Sequence, residues 1–255
     1  MKRELSEPMS DAEARKAMFR RSRRGFLVGG VATLTSIFGW RWMSDETKDA
    51  LYHRAFRFNE HVSQFFFSPQ RLAPEFPPNR ITEARVNGLE GLESEIDLDG
   101  WRLNITGLPG QASLALTLSD LKSLPRAEMT TELKCIEGWS IIVHWAGVRF
   151  LDLVAAYAPG ISPAQLPQYV AMTTPDEQYF VGWDLSSIMH PQSLLAYEMN
   201  GAPLTIEHGA PLRLASPTKY GIKQIKRIGK IEFTNERPRD FWAQPEYGYD
   251  WYSGH

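Results

Sequence analysis

One cysteine in 255 residues, Cys135, sets the first limit on this chain: no intrachain disulfide can form, so the fold must be held by a packed core rather than by cross-links. The composition allows that. With 43% hydrophobic and 12% aromatic residues, the chain reads as one globular domain with ample core behind a leader. The cysteine lies in Lys134-Cys135-Ile136-Glu137-Gly138-Trp139-Ser140. A thiolate there is a soft ligand suited to a soft or high-valent metal, and Lys134 is expected to help keep it deprotonated. The ordinary alternative for a lone free cysteine is a small buried hydrophobe, and spacing alone does not displace it.

The leader is the second informative stretch. Arg21-Ser22-Arg23-Arg24-Gly25-Phe26-Leu27 precedes an uncharged apolar run over residues 25–40. Paired arginines before Phe-Leu and a moderately apolar segment form the twin-arginine export pattern. At sixteen residues diluted by glycine, the run falls short of the roughly twenty needed to span a bilayer. No small-x-small cleavage site follows, so the leader is also expected to serve as a membrane tether. Residues 1–43 are read as twin-arginine signal or tether and residues 44–255 as the folded domain. The first 24 residues carry a net +4, which leaves −6 on the rest of a chain whose total is −2. Such a mildly acidic body gives no reason to propose a nucleic-acid partner.

Ser44-Asp45-Glu46 can cap a helix with Leu51, Ala55 and Phe58 on one face, expected to end near Asn59. Pro69, Pro74, Pro77 and Pro78 then mark an irregular connection. Short strands follow from Ile81, with Trp101-Arg102-Leu103-Asn104-Ile105 alternating before a Gly107 turn. A short capped helix begins at Ser119 and stops at Pro125, and a β-prone stretch from Met129 delivers Cys135 at its end. Residues 150–158 are apolar at helical spacing, residues 168–172 read as a strand, and Asn200-Gly201 joins two strands as a hairpin. His190, before a proline, is read as structural.

The densest polar block is His208-Gly209-Ala210-Pro211-Leu212-Arg213, followed by Lys219-Tyr220-Gly221-Ile222-Lys223-Gln224-Ile225-Lys226. It is either a solvated basic stripe or an anion cradle of guanidinium, ammonium and backbone amides. Rossmann, Walker, zinc-type and Ser-His-Asp signatures do not occur in the sequence, and neither does a haem-attachment motif.

The order Cys135-Ile136-Glu137-Gly138-Trp139-Ser140, then Trp145-Ala146-Gly147-Val148, resembles the cofactor-ligating segment of the sulfite oxidase superfamily. In particular it resembles the YedY-type catalytic subunits of periplasmic methionine-sulfoxide reductases. The resemblance covers about residues 58–242. It implies an α+β, β-rich sulfite-oxidase-type molybdopterin-binding fold in a single domain, with molybdenum-molybdopterin as cofactor. By resemblance, Cys135 is the metal ligand and catalytic centre. Asn59, Val62, Ser63, Thr174, His208, Arg213, Gln224, Ile225 and Lys226 then fall on cofactor-contact positions. Two of these have plainer readings, Asn59 as a helix C-cap and Thr174 as a strand-end turn residue. His208 departs from the pattern, standing where the family has asparagine.

The implied function is oxygen-atom transfer, in the direction that reduces S- or N-oxides such as methionine sulfoxide. Electrons would come from a membrane b-type haem cytochrome, and the location would be periplasmic. The chain ends soon after the cofactor domain, where classical sulfite oxidases continue into an immunoglobulin-like dimerisation domain, so a monomer is expected. Two rival readings stand beside this one: a sulfite dehydrogenase with the same cofactor, and a cofactor-free exported binding domain.

Overall fold

The structure, a computed structural model, describes residues 40–254; the twin-arginine segment lies outside the described residues. The chain divides into two compact units, Met1–Ala55 and Phe56–His255. Ser44 Oγ accepts from Thr47 N at 3.4 Å and starts helix α1 (Asp45–Phe66), whose first turn carries Asp45 and Glu46 as the dipole favours and whose residues from 56 onward belong to the second unit. The helix does not end near Asn59 as its sequence suggested. It runs on to Phe66 because nothing from Glu60 onward breaks it until Pro69, and because Glu60 is buried in an ion pair with Arg237 at 2.7 Å. Among the described residues no helix is long and apolar enough to cross a membrane.

The second unit is built on two five-stranded sheets. The strands are β1 (Leu103–Thr106), β2 (Ser113–Leu116), β3 (Arg126–Lys134), β4 (Ser140–Arg149), β5 (Tyr169–Thr173), β6 (Phe180–Asp184), β7 (Leu194–Met199), β8 (Ala202–Pro203), β9 (Arg213–Ala215) and β10 (Lys230–Thr234). One sheet has the order β2-β1-β10-β5-β6, and its single parallel pair is β1 with β10. The other has the order β3-β4-β7-β8, with β9 also pairing β7. Helix α2 (Leu118–Lys122) starts one residue earlier than the sequence suggested, since Thr117 and Asp120 form the capping box. Helix α3 (Phe150–Tyr157) buries Phe150, Leu153 and Val154.

Alternation along β7 explains how the layers stack. Leu195 and Tyr197 face the main core with Leu103, Val170, Trp183 and Ile231, whereas Leu194 and Ala196 face a second core with Val143, Trp145 and Met129. The β3-β4-β7 sheet is therefore covered on both faces, and its strands read as apolar runs rather than simple alternation. The hairpin turn between β7 and β8 is confirmed at Asn200 and Gly201, both with positive φ (51° and 81°), which suits the twist of a two-residue loop.

Candidate active site

The loop joining β3 to β4 builds the centre of the site. The last strand pair is Lys134 with Ser140, after which Cys135 N donates to Trp139 O at 2.9 Å and Gly138 N to Cys135 O at 3.1 Å. Gly138 has φ +87°, a conformation that L side chains rarely adopt, so a glycine is needed to close this tight turn. The turn holds the buried Cys135 just past the rigid end of β3, at the wall of a cleft of about 200 Å³.

Lys134 does not activate the thiol as expected. It pairs with Glu132 at 3.8 Å, and burial pushes the Cys135 thiol up, with Arg85 pulling weakly the other way. The deprotonated thiolate is thus a species that a bound metal must stabilise.

Four of the residues read from sequence meet here: Cys135, Arg213, Gln224 and Lys226 all line the cleft. Arg213 is buried, 4% exposed, with one guanidinium nitrogen donating to His208 O at 3.0 Å, another to Gln224 O at 3.4 Å, and its carbon 4.7 Å above the Trp145 ring. Its Nε has no hydrogen-bond partner, and no carboxylate lies within ion-pair distance among the described residues. Burial pulls its pKa down to about 10. Lys226 Nζ donates to the carbonyls of Asn87 at 2.6 Å and Gly88 at 2.9 Å, and burial followed by Arg213 brings it to about 8. Gly209 allows this closeness: a Cβ there would meet Lys226 Cα at 2.9 Å.

The other positions are arranged differently. Asn59, Val62 and Ser63 stand on α1 and do not line the cleft; Asn59 is exposed in mid-helix and is not a C-cap. Thr174 is buried behind the cleft wall, where its hydroxyl donates to Asp176 at 2.6 Å and accepts from Tyr179 N at 3.1 Å, so it fixes the turn that carries Tyr179. His208 supplies its carbonyl rather than its ring, and burial, then Arg213 and Lys226, lower its pKa. Ile225 points into the core and ties the strand through its carbonyl to Leu214 N at 2.9 Å. His190 is fully buried, with Nδ1 accepting from Gln192 N at 3.1 Å, as befits a structural histidine.

An asparagine does reach the thiol, but it is Asn87, whose Nδ2 lies 3.8 Å from Cys135 Sγ. Sequence reading also missed Arg85, 4.5 Å over the Trp139 ring, and Tyr179, Trp242 and Tyr249 on the wall. The available signal was Asn87-Gly88 itself, a turn dipeptide in a stretch otherwise without periodicity. Arg102 and Arg149 do not line the cleft; Arg102 donates to the carbonyls of Asp99 and Trp101.

The expected cofactor can be tested against this geometry. A cleft presenting one thiol, a buried guanidinium and a half-buried ammonium without carboxylate ion-pair partners among the described residues, and an unsatisfied guanidinium nitrogen asks for an anionic group that also offers a soft metal. A molybdenum-molybdopterin, with its phosphate, meets both demands, and the residues fit it. Arg213 and Lys226 would hold the phosphate, Gln224 would donate beside them, and Cys135 would ligate the metal. A cofactor-free scaffold would leave Arg213 with no counter-charge.

Comparison with known proteins agrees. The chain is 32% identical over 244 residues to a provisionally named protein-methionine-sulfoxide reductase subunit YedZ1 of Azospira oryzae, covering 94% of this chain and 88% of that protein. It is 34% identical over 173 residues to the protein-methionine-sulfoxide reductase catalytic subunit MsrP of Campylobacter jejuni, covering 62% of this chain and 58% of that one. Other MsrP relatives are matched over 49–52% of their length, so the chain spans about half of these curated relatives. Mitochondrial sulfite oxidase of Rattus norvegicus is 29% identical over 79% of this chain and 41% of its own. Among solved structures, the sulfane dehydrogenase SoxCD of Paracoccus pantotrophus shares the fold at a TM-score of 0.52 and 21% identity, covering 74% of this chain and 55% of that one. The family profile of the oxidoreductase molybdopterin binding domain matches residues 90–242. A buried thiol facing unpaired cations and this match lead to one conclusion: the chain belongs to the oxidoreductase molybdopterin binding domain family and is an α+β molybdenum-molybdopterin oxidoreductase of the sulfite oxidase type.

Proposed function

We propose that this protein is an exported reductase of S- or N-oxides, with methionine sulfoxide as the representative substrate. The observation that carries the reading is the wall around Cys135. Trp139, Tyr179, Trp242 and Tyr249 give an aromatic lining, and Glu137, fixed by a 2.8 Å hydrogen bond from Trp139 Nε1, adds a carboxylate. Aromatic surface accepts a neutral sulfoxide with an apolar stem, whereas carboxylates repel a dianion. When bound, molybdenum-molybdopterin supplies two-electron oxygen-atom transfer. The chain's own residues hold that group, shape the entrance and limit which oxide enters. Overall, a sulfoxide takes up two electrons and two protons and leaves as thioether and water.

The electrons would come from another protein, for which a membrane b-type haem cytochrome is the fitting class. The Arg23-Arg24-Gly25-Phe26-Leu27 pattern supports twin-arginine export to the periplasm, with the leader kept as a tether. A second reading, sulfite oxidation, draws on one observation: Arg85 adds a third cation to the cleft beside Arg213 and Lys226. In that direction sulfite and water give sulfate, two electrons and two protons.

Steady-state kinetics decide between them, with a reduced dye and methionine sulfoxide in one assay and sulfite with an oxidised acceptor in the other. Sulfoxide turnover, abolished in Cys135→Ser, is expected. Efficient sulfite oxidation without sulfoxide reduction would reverse the direction and leave the cofactor site standing.

A further inference from the structure

Two lysines of the basic block, Lys219 and Lys223, are 1% and 0% exposed and line no part of the cleft, so they are neither a solvated stripe nor part of the anion cradle. Both turn outward from the cleft wall into the C-terminal segment. Lys223 Nζ is paired with Asp240 Oδ2 and donates to Trp251 O at 2.6 Å. Lys219 Nζ donates to Asp184 Oδ1 at 2.9 Å and to Tyr252 O at 2.9 Å, and lies 3.4 Å from the Tyr252 ring centre. Tyr220 N donates to Ser253 O at 3.1 Å, and Lys219 bridges Gly254. The indole of Trp251 is held by Pro238 O at 2.9 Å and covered by Arg237 at 4.1 Å.

The same loop carries cofactor-facing groups on its other side. Gly221, Ile222, Gln224 and Lys226 line the cleft, and Gln224 Nε2 donates to Lys219 O at 3.0 Å. The C-terminal segment itself adds Trp242 and Tyr249 to the wall, joined by Tyr249 N donating to Trp242 O at 3.0 Å. Without residues 251–253, two buried ammonium groups would lose carbonyl acceptors directly behind Gln224. A buried charge left short of partners is costly, and the loop would shift to rehydrate it.

We propose that residues 240–254 form a strap that completes and fixes the molybdopterin-binding loop, with Lys219 and Lys223 as the positioning residues that latch it. The proposal rests on cofactor binding and not on the direction of the reaction. Because coupling between two sites is reciprocal, the strap should tighten when the cofactor is bound, and the cofactor should loosen when the strap is removed.

Hydrogen exchange read by mass spectrometry on the full chain, loaded and cofactor-free, tests the first half. Amides of residues 249–254 should exchange slower in the loaded protein by on the order of tenfold. Equal protection in both forms would overturn the proposal. For the second half, a chain ending at Asp250 and the point variant Lys223→Met are compared with wild type for pterin retained after dialysis, read by fluorescence of the released pterin. Loss faster by on the order of tenfold is expected from variants that still melt cooperatively. A folded variant that keeps pterin as wild type does would also overturn it, and if neither variant folds the exchange comparison decides. The pterin content of the wild-type chain separates a failure of the cofactor assignment from a failure of the strap.

Discussion

Replacing Arg213 by methionine should split two properties that usually move together. In the cofactor-free protein the guanidinium is buried against two carbonyls and the Trp145 face, with no carboxylate in ion-pair distance among the described residues. Burial pulls its pKa down from the ordinary guanidinium range to about 10. Each tenfold change in the proton equilibrium is about 1.4 kcal/mol, so at neutral pH the charged group weighs against the fold by about 3 kcal/mol. The sign follows from linkage. The folded pKa is the lower one, so the penalty is fully present below about 10 and is relieved only as pH rises through the folded towards the unfolded value. Methionine removes that penalty, keeps most of the stem's packing, and gives up hydrogen bonds from a charged donor worth about 1.5–3 kcal/mol each. With two such bonds lost, about 3–6 kcal/mol is set against the penalty of about 3, so the melting temperature of cofactor-free Arg213→Met should fall by no more than about 10 °C. Cofactor binding has no such compensation. Losing one charge-assisted contact to a buried phosphate should weaken retention by about 10- to 100-fold. The assay pairs calorimetry of protein made without cofactor with pterin retention of protein made with it. A large drop in melting temperature together with unchanged pterin retention would refute the reasoning, because Arg213 would then be a structural residue.

Two further outcomes follow from the charges. Burial acts to raise the pKa of Asp184, but Lys219 and hydrogen bonds from Ser186 and Ser187 prevail and bring it to about 2, so its contribution of about 2 kcal/mol is intact above about pH 4 and lost as pH falls towards 2. Asp184→Asn should flatten the acid limb of a stability-versus-pH curve in that window, and an unchanged slope would count against the pair. At the other end of the chain, changing Arg23 and Arg24 together to lysine should strand the protein in the cytoplasm, read by fractionation; unchanged periplasmic content would argue for another route.

What was legible in the sequence was local chemistry with a short-range cause. Cys135 announces itself as the sole cysteine, and Gly138 three residues on has the positive φ that the turn needs. Arg213, Gln224 and Lys226 belong to a block whose turns could be read from Gly209 and Gly221. The hairpin at Asn200-Gly201 was visible for the same reason. Asn87 and Arg85 were not, because they sit in a stretch without periodic structure that is pinned from far away: Lys226 holds the Asn87 carbonyl across 139 positions. Helix α1 was read too short, since the ion pair of Glu60 with Arg237 is a contact over 177 positions. Lys219 and Lys223 defeated the reading in another way. Lysines are seldom fully buried, so a run of them suggests solvent until the acceptors behind them are known.

The cations that do line the cleft bear on what enters it. Of the cations that line the cleft among the described residues, Arg213 and Lys226 hydrogen-bond to carbonyls and would hold the cofactor's anion, which would leave Arg85 to meet a substrate. Arg85 lies 4.5 Å over Trp139, an attraction of about 0.5–2 kcal/mol. A dianion offering charge-assisted hydrogen bonds of about 1.5–3 kcal/mol each would be strong enough to draw it off. Arg85 alone therefore does not exclude sulfite. The obstacle is Glu137, which the Trp139 indole holds at 2.8 Å in the same turn as Cys135, so that an anion approaching Arg85 must also approach a carboxylate. A neutral sulfoxide meets no such opposition: its oxygen can accept from Arg85 where the guanidinium already stands, and its stem can lie on the aromatic wall. Under the proposed function, the residue that would select against sulfite is not Arg85 but Glu137, the carboxylate two positions after the cysteine.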